Sequence, residues 1–195
     1  GNLSYGNFAD DLVEPSDSDI FIEAVKEDIK IKHDIWTKIK QIAKEEAILA
    51  TNTSGIPIEA IAKVFESGEQ ERFLGMHFFN PPRYMKLLEI IPTKNTSEET
   101  VEVVKQFSED VLGKGVVIAN DVPAFIANRT GTHAMADIMY RAERDGLSIV
   151  EVDALTGKAI GRPRTGTYGL SDLVGNDIAA FVVGGLMKDP SEQPY

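Results

Sequence analysis

The chain has 195 residues, of which 43% are hydrophobic, so it can bury the core of one large domain or two small ones. Its 31 acidic residues outnumber its 20 basic residues and give a net charge of −11, which argues against nucleic acid or an anionic membrane as the main partner. Cysteine is absent, which excludes disulfides and thiolate metal sites, and no apolar run approaches the roughly 20 residues of a membrane span, so we expect a cytoplasmic protein.

The first 119 residues alternate short apolar runs with amphipathic stretches, which predicts a mostly parallel sheet with helices on its faces. Helix 28–44 is predicted from isoleucines at helical spacing, and another is predicted from a capping box of Thr96 and Glu99 through Val111. A short helix is expected over 57–65. The predicted strands cover 18–25, 47–51, 73–79, 86–91 and 116–119.

Beyond residue 120 the pattern is helical. One long helix is predicted over 124–145, and a capping box of Ser148 and Glu151 predicts a second. A third is expected over 172–187, where four large apolar residues call for a partner helix or a second subunit: Ile178, Phe181, Val182 and Val183. We therefore expect a domain at 1–119 and a helical domain at 120–195.

Parallel sheets bind ligands beyond the carboxyl ends of their strands, which directs attention to residues 27–32, 52–55 and 77–82. No G-x-G-x-x-G follows a predicted strand, so a loop of the kind that seats a pyrophosphate on a helix is missing from the sequence.

His77 ends an apolar run and is followed by Asn-Pro-Pro, which is typical of a loop at a strand end. A lone histidine is more often a core imidazole bonded to backbone than a catalytic group. Glu89, however, lies within the apolar run KLLEII, where a buried carboxylate needs a partner. If neighbouring strands bring Glu89 to His77, the carboxylate fixes the imidazole tautomer, and the ring suits a general base for an alcohol.

Two further polar features have structural and functional interpretations. The loop Asn52–Gly55 can be a simple hydroxyl-capped turn or a site for phosphate or a carbonyl, and both can hold together. Asn128 within a predicted helix is either exposed or bonded to something specific. Lysines in 26–44 indicate a solvated helix face, and only those near the strand end are candidates for phosphate.

Together these segments resemble the L-3-hydroxyacyl-CoA dehydrogenase family. The resemblance covers about residues 17–187 and depends on five stretches: IEAVKEDIKIK, ATNTSGIPI, MHFFNPPRYMKLLEII, DVPAFIANR and DLVGND. It implies a Rossmann-like NAD-binding domain followed by a helical domain that forms a homodimer. It also implies NAD-dependent oxidation of a 3-hydroxyacyl-CoA in fatty acid β-oxidation.

The resemblance also implies roles for single residues. His77 would be the general base and Glu89 its orienting carboxylate. Ser54 and Asn128 would contact the acyl-CoA substrate. The cofactor would be contacted by Glu27, Lys32, Ser54 and Asn80.

Two departures from the family pattern change what is expected of this chain. The glycine-rich segment with which the family begins has no counterpart here, so we expect the chain alone to be a poorly active fragment. Residues 161–167 (GRPRTGT) stand where many members have Pro-Met-Gly-Pro, which is similar to a multi-domain bacterial form fused to a hydratase-type domain. The alternatives are a dehydrogenase of a small hydroxy acid or sugar acid, and a non-catalytic assembly module.

Overall fold

The computed structural model describes residues 4–7, 11, 14–175 and 184. The chain forms two compact units, Gly1–Phe125 and Ile126–Tyr195. The predicted domain boundary after residue 119 stays a prediction, and the compact units divide six residues later. Within the described residues, no helix combines the length and the apolar character that crossing a membrane requires.

The first unit is built on a five-stranded sheet in the order β1-β2-β3-β4-β5. Three of the four strand pairings are parallel, and β3 with β4 is the antiparallel one, so the predicted mostly parallel α/β sheet is confirmed. A 3-10 turn at Glu14–Asp17 precedes it. The strands are β1 (Ile20–Glu23), β2 (Ile48–Thr51), β3 (Phe73–Phe78), β4 (Leu87–Pro92) and β5 (Gly115–Ile118).

Helices cover both faces of this sheet. They are α1 (Ile29–Ile39), α2 (Ile58–Ala62), α3 (Ser67–Gln70) and α4 (Glu98–Asp110). On one face α1 and α2 contribute to a core in which Trp36 of α1 meets Phe65 and Phe73 edge to face. On the other face Val104 of α4 packs on Leu74 and Met76. Because strand side chains alternate between faces, β3 and β4 contribute to both cores.

Local chemistry sets where several helices begin. Asp28 starts α1, since its carboxylate accepts hydrogen bonds from the amides of Lys30 and Ile31. These two amides are the main reason that the pKa of Asp28 lies below its ordinary value. The predicted cap of α4 at Thr96 is wrong, because Ser97 accepts from the Thr100 amide instead. The hydroxyl of Thr96 donates to the Phe73 carbonyl.

The described part of the second unit contains helices α5 (Ala127–Asp145), α6 (Ile149–Thr156) and α7 (Tyr168–Val174) with a 3-10 turn at Lys158–Ile160. The predicted start of α5 at residue 124 is wrong, because Ala124 and Phe125 have left-handed φ values of 59° and 49°. The capping box of Ser148 and Glu151 is confirmed. The apolar residues 178–183 of the predicted last helix lie outside the described residues.

Candidate active site

His77 and Glu89 face each other across the antiparallel pair of β3 and β4. They are direct partners in the register, and His77 Nδ1 lies 2.7 Å from Glu89 Oε2. Both side chains are almost fully buried, with 3% and 1% exposure. Since a carboxylate only accepts hydrogen bonds, Nδ1 carries the proton and the lone pair of the neutral ring lies on Nε2.

The second ring nitrogen of His77 meets Ser54, which lies in the loop after β2. Its Nε2 is 3.1 Å from Ser54 Oγ, so the serine hydroxyl donates to the neutral ring and accepts from a protonated one. Phe79 and Phe125 pack on the imidazole with ring centroids 4.6 and 5.4 Å away. The histidine is thus held from two sides by polar groups and shielded from water by aromatic rings.

The loop of Ser54 is fastened by a carboxylate from the loop after β1. Glu27 Oε1 accepts from the amides of Ser54 and Gly55, both at 3.0 Å, and from the hydroxyl of Thr53. Thr53 also accepts from the Ile56 amide, so the simple hydroxyl-capped turn is present as well. The predicted polar loop therefore combines a structural turn with a half-buried serine, whose hydroxyl meets His77.

Behind Glu27 lies a buried ion pair between α1 and β1. Lys32 Nζ is 2.8 Å from Glu23 Oε1 and 3.2 Å from Glu27 Oε2, and the Lys32 and Glu23 side chains are each 1% exposed. The Glu23 carboxylate also accepts from Thr51 Oγ1 and the Val25 amide, both at 2.7 Å. Two carboxylates thus share one ammonium at the carboxyl ends of β1 and β2.

The electrostatic balance at Glu27 favours the charged form. Burial by itself raises the pKa of this carboxyl, but the Thr53 hydroxyl, the Lys32 charge and the Gly55 amide together outweigh it. The net pKa of Glu27 is lower than the ordinary value. Glu27 is therefore an anchored carboxylate, and its side chain still keeps 28% of its surface exposed.

The predicted site residues are only partly brought together by the first unit. His77, Glu89, Ser54 and Glu27 form one connected polar chain. Asn80 lies exposed in the loop that follows β3. The ammonium of Lys32 faces the two carboxylates and the Val25 carbonyl. Asn128, which is half-buried, lies in the first turn of α5 in the second unit.

Sequence reasoning missed Glu23 and Thr51, which complete the polar network behind Glu27. The signal for Glu23 was available, because it is an ionisable residue in an apolar strand just as Glu89 is. Asn52 was named as part of the polar loop, but its role was not foreseen: its side-chain carbonyl accepts from the Phe78 amide and ties the Ser54 loop to β3. Asp121, which follows β5, was also overlooked; its carboxylate caps α2 through the Ile58 and Glu59 amides.

Comparison with protein-family models gives two matches. Residues 2–122 match the NAD binding domain of 3-hydroxyacyl-CoA dehydrogenase, and residues 125–195 match the C-terminal domain of the same family. Together the two matches cover nearly the whole chain.

Individual relatives agree with the family models. A probable 3-hydroxyacyl-CoA dehydrogenase of Deinococcus radiodurans is 44% identical over 97% of this chain and 56% of its own length. A putative fatty acid oxidation complex trifunctional enzyme of Rickettsia prowazekii is 36% identical over 95% of this chain and 26% of its own length. This chain thus spans about half of the first relative and about a quarter of the second.

A solved structure shows the same fold. The (S)-3-hydroxybutyryl-CoA dehydrogenase PaaH1 from Ralstonia eutropha superimposes with a TM-score of 0.83 at 31% identity, covering 93% of this chain and 62% of that one. Sequence, domain order and fold agree, and on these matches the chain belongs to the 3-hydroxyacyl-CoA dehydrogenase family.

Proposed function

We propose that this chain carries the proton-transfer site of an NAD-dependent dehydrogenase that oxidises an (S)-3-hydroxyacyl-CoA to the 3-oxoacyl-CoA in fatty acid β-oxidation. The observation that carries the proposal is His77, held by the Glu89 carboxylate on one nitrogen and meeting a serine hydroxyl on the other. This arrangement suits removal of a proton from an alcohol, because the basic nitrogen is fixed in position and tautomer.

The roles of the side chains follow from their contacts. His77 Nε2 takes the proton of the substrate 3-hydroxyl, and Glu89 stabilises the imidazolium that forms. Ser54, 3.1 Å from Nε2, holds the substrate oxygen in line with that nitrogen by hydrogen bonding. Phe79 and Phe125 keep water from the ring, which strengthens these electrostatic interactions. In the reverse direction the same imidazolium returns the proton to the carbonyl oxygen.

The residues present fit NAD at the nicotinamide-ribose side of the site. Glu27 offers a partly exposed carboxylate at the carboxyl end of the sheet, where dinucleotides bind and where a ribose hydroxyl can donate to it. Asn80 adds an exposed amide beyond β3. Bound NAD supplies the hydride acceptor for C3 of the substrate. We propose Glu27, Ser54 and Asn80 as its contacts, with Lys32 acting through Glu27 because its ammonium is buried.

Further parts of the proposal concern substrate, assembly and compartment. Asn128 is proposed as a substrate contact on the family resemblance alone. A homodimer through the helical unit is supported by its exposed apolar residues, among them Val150 at 78% and Leu173 at 75%. The name of the Rickettsia relative supports fusion to further enzyme domains. A cytoplasmic location is consistent with the absence of cysteine.

The proposal is tested with the protein at its full natural length, which is assayed for reduction of acetoacetyl-CoA by NADH. The loss of NADH absorbance measures the rate. Free acetoacetate is the matched substrate, because it has the same reacting carbonyl without CoA. We expect turnover of the thioester to exceed that of the acid. Equal or faster turnover of the acid favours a small hydroxy acid dehydrogenase, and no turnover of either favours an assembly module.

A further inference from the structure

Glu23 is the last residue of β1, and its carboxylate is too deeply buried to contact a ligand. Its side chain is 1% exposed, and it accepts hydrogen bonds from Lys32, Thr51 and the Val25 amide. A buried carboxylate with three donors is stable where it is, but it cannot touch a substrate or a cofactor. Any effect of Glu23 on a reaction must therefore pass through the residues that it holds.

The first of these residues is Lys32, which is shared between two carboxylates. Its ammonium is nearer to Glu23 Oε1, at 2.8 Å, than to Glu27 Oε2, at 3.2 Å. Glu23 is fully buried, and Glu27 keeps 28% of its side chain exposed. The fixed partner thus sets the position of the ammonium, and the ammonium in turn holds one oxygen of the more exposed Glu27.

The second link runs from Glu27 to the loop after β2. With Oε2 held by Lys32, the other oxygen accepts from the Thr53 hydroxyl and from the Ser54 and Gly55 amides. The Ser54 hydroxyl then lies 3.1 Å from His77 Nε2. A displacement of about 1 Å at a reacting group can lower a rate by roughly 10²-fold, so the placement of this loop matters.

We infer that Glu23 is a positioning residue, which through Lys32 and Glu27 sets where the Ser54 hydroxyl meets His77. The kinetic consequence rests on the proposed function, whereas the structural consequence can be measured without any turnover. Glu23 does not contact the reacting atoms, and its charge acts on them through two ion pairs and one loop.

Glu23→Gln is the primary test, because glutamine keeps the shape and can still accept from Lys32 but lacks the charge. We expect the Ser54 and Gly55 amides to exchange their hydrogens about tenfold faster and the ¹⁵N signal of His77 Nε2 to move. The matched control is Val104→Ala, which weakens the opposite core without touching this network. If the two variants show the same exchange at equal global stability and an unmoved His77 signal, the inference is overturned.

A second variant keeps the test decisive if Glu23→Gln does not fold. The double variant Glu23→Gln with Lys32→Met removes both buried charges, and replacing a whole pair disturbs folding less than removing one member. Glu27 then lacks its ammonium, so we again expect faster exchange at Ser54 and Gly55. Wild-type protection of these amides in the double variant overturns the inference.

Steady-state kinetics distinguish a failure of this inference from a failure of the proposed function. In acetoacetyl-CoA reduction by the protein at its full natural length, we expect Glu23→Gln to lower kcat about tenfold while KM changes less than about twofold. Robust wild-type turnover that Glu23→Gln leaves unchanged overturns the inference alone. Loosened amides without any wild-type turnover support the positioning role and remove the proposed function instead.

Discussion

In the described part of the first unit, two buried acid–base groups, one between β1 and α1 and the other across β3 and β4, differ in what remains available to a ligand. Around Lys32, three protein acceptors lie within 3.5 Å of the ammonium nitrogen, namely one oxygen each of Glu23, Glu27 and the Val25 carbonyl. Around His77, Nδ1 is bound by the Glu89 carboxylate and Nε2 meets the Ser54 hydroxyl. Burial and ion pairing are common to both regions.

A buried charged pair indicates function where one of its members has a hydrogen-bond partner that a ligand can replace. The Lys32 region is saturated, so its contribution is architectural and reaches the reaction through the Ser54 loop. In the His77 region, Nε2 meets a serine hydroxyl that a hydroxyl of the proposed substrate can replace, which suits proton transfer. Substitutions in the two regions should therefore affect different observables.

The largest expected effect is on activity at the His77 region. His77→Gln keeps a polar side chain that can bond Glu89 but removes the base, so we expect turnover of acetoacetyl-CoA to fall by about 10²–10⁴-fold. Thermal unfolding should change little, which separates chemistry from folding. His33→Gln is the matched control, since His33 bonds the Ala60 carbonyl in a helix contact remote from the pair. Activity retained in His77→Gln contradicts the proposed role.

Substitutions in the Lys32 region should mainly lower the free energy of unfolding. Lys32→Met leaves Glu23 buried without its cation, and we expect a loss of roughly 3–5 kcal/mol in the free energy of unfolding. Urea unfolding of Lys32→Met measures this loss, with the double variant that also carries Glu23→Gln recovering much of it. The exposed pair of Lys44 and Asp19 offers a control, because Lys44→Met removes a solvent-screened surface ion pair and should lower the free energy of unfolding far less. Equal losses for both lysines contradict the comparison.

The sequence predicts those features of the two regions whose cause lies in a short stretch of the chain. The pairing of His77 with Glu89 followed from two apolar runs, each interrupted by one ionisable residue, and the structure brings the two side chains together. The mostly parallel pairing followed from the alternation of apolar runs with amphipathic stretches, whereas the strand order was not predicted.

The remainder depends on contacts between residues distant in sequence. The sequence pattern made Lys32 one of several lysines on a helix face, and the family resemblance made it a cofactor contact. Only the fold shows that its ammonium is buried against Glu23. The late start of α5 depends on left-handed backbone at Ala124 and Phe125, and neither alanine nor phenylalanine predicts that conformation. The tie between Glu27 and the loop 26 to 29 residues later has no local signature either.

A smaller effect is expected from Glu89→Gln, which keeps the base and removes its negative partner. Glutamine can present either its oxygen or its amide to Nδ1, so the tautomer of His77 is no longer fixed. We expect kcat to fall by about 10²-fold, toward the lower end of what proton transfer contributes. Glu59→Gln is the control, because this partly exposed residue bonds the Lys94 amide away from the ring. Unchanged kcat in Glu89→Gln means that the carboxylate does not orient the base.

We expect the smallest effect in the pH dependence of the free energy of unfolding, where it depends on Glu27, the residue that joins the two regions. Because the folded state holds the pKa of Glu27 below the ordinary value of 4.5, ionised Glu27 contributes stability above about pH 4.5 and loses it as pH falls through the folded pKa. Urea unfolding at a series of pH values should therefore show wild-type stability falling more steeply with acid than that of Glu27→Gln. The difference should be modest, since solvent screens a side chain that is 28% exposed. Parallel stability curves would mean that Glu27 is not the charged anchor of the Ser54 loop, and the Lys32 region would then be uncoupled from His77.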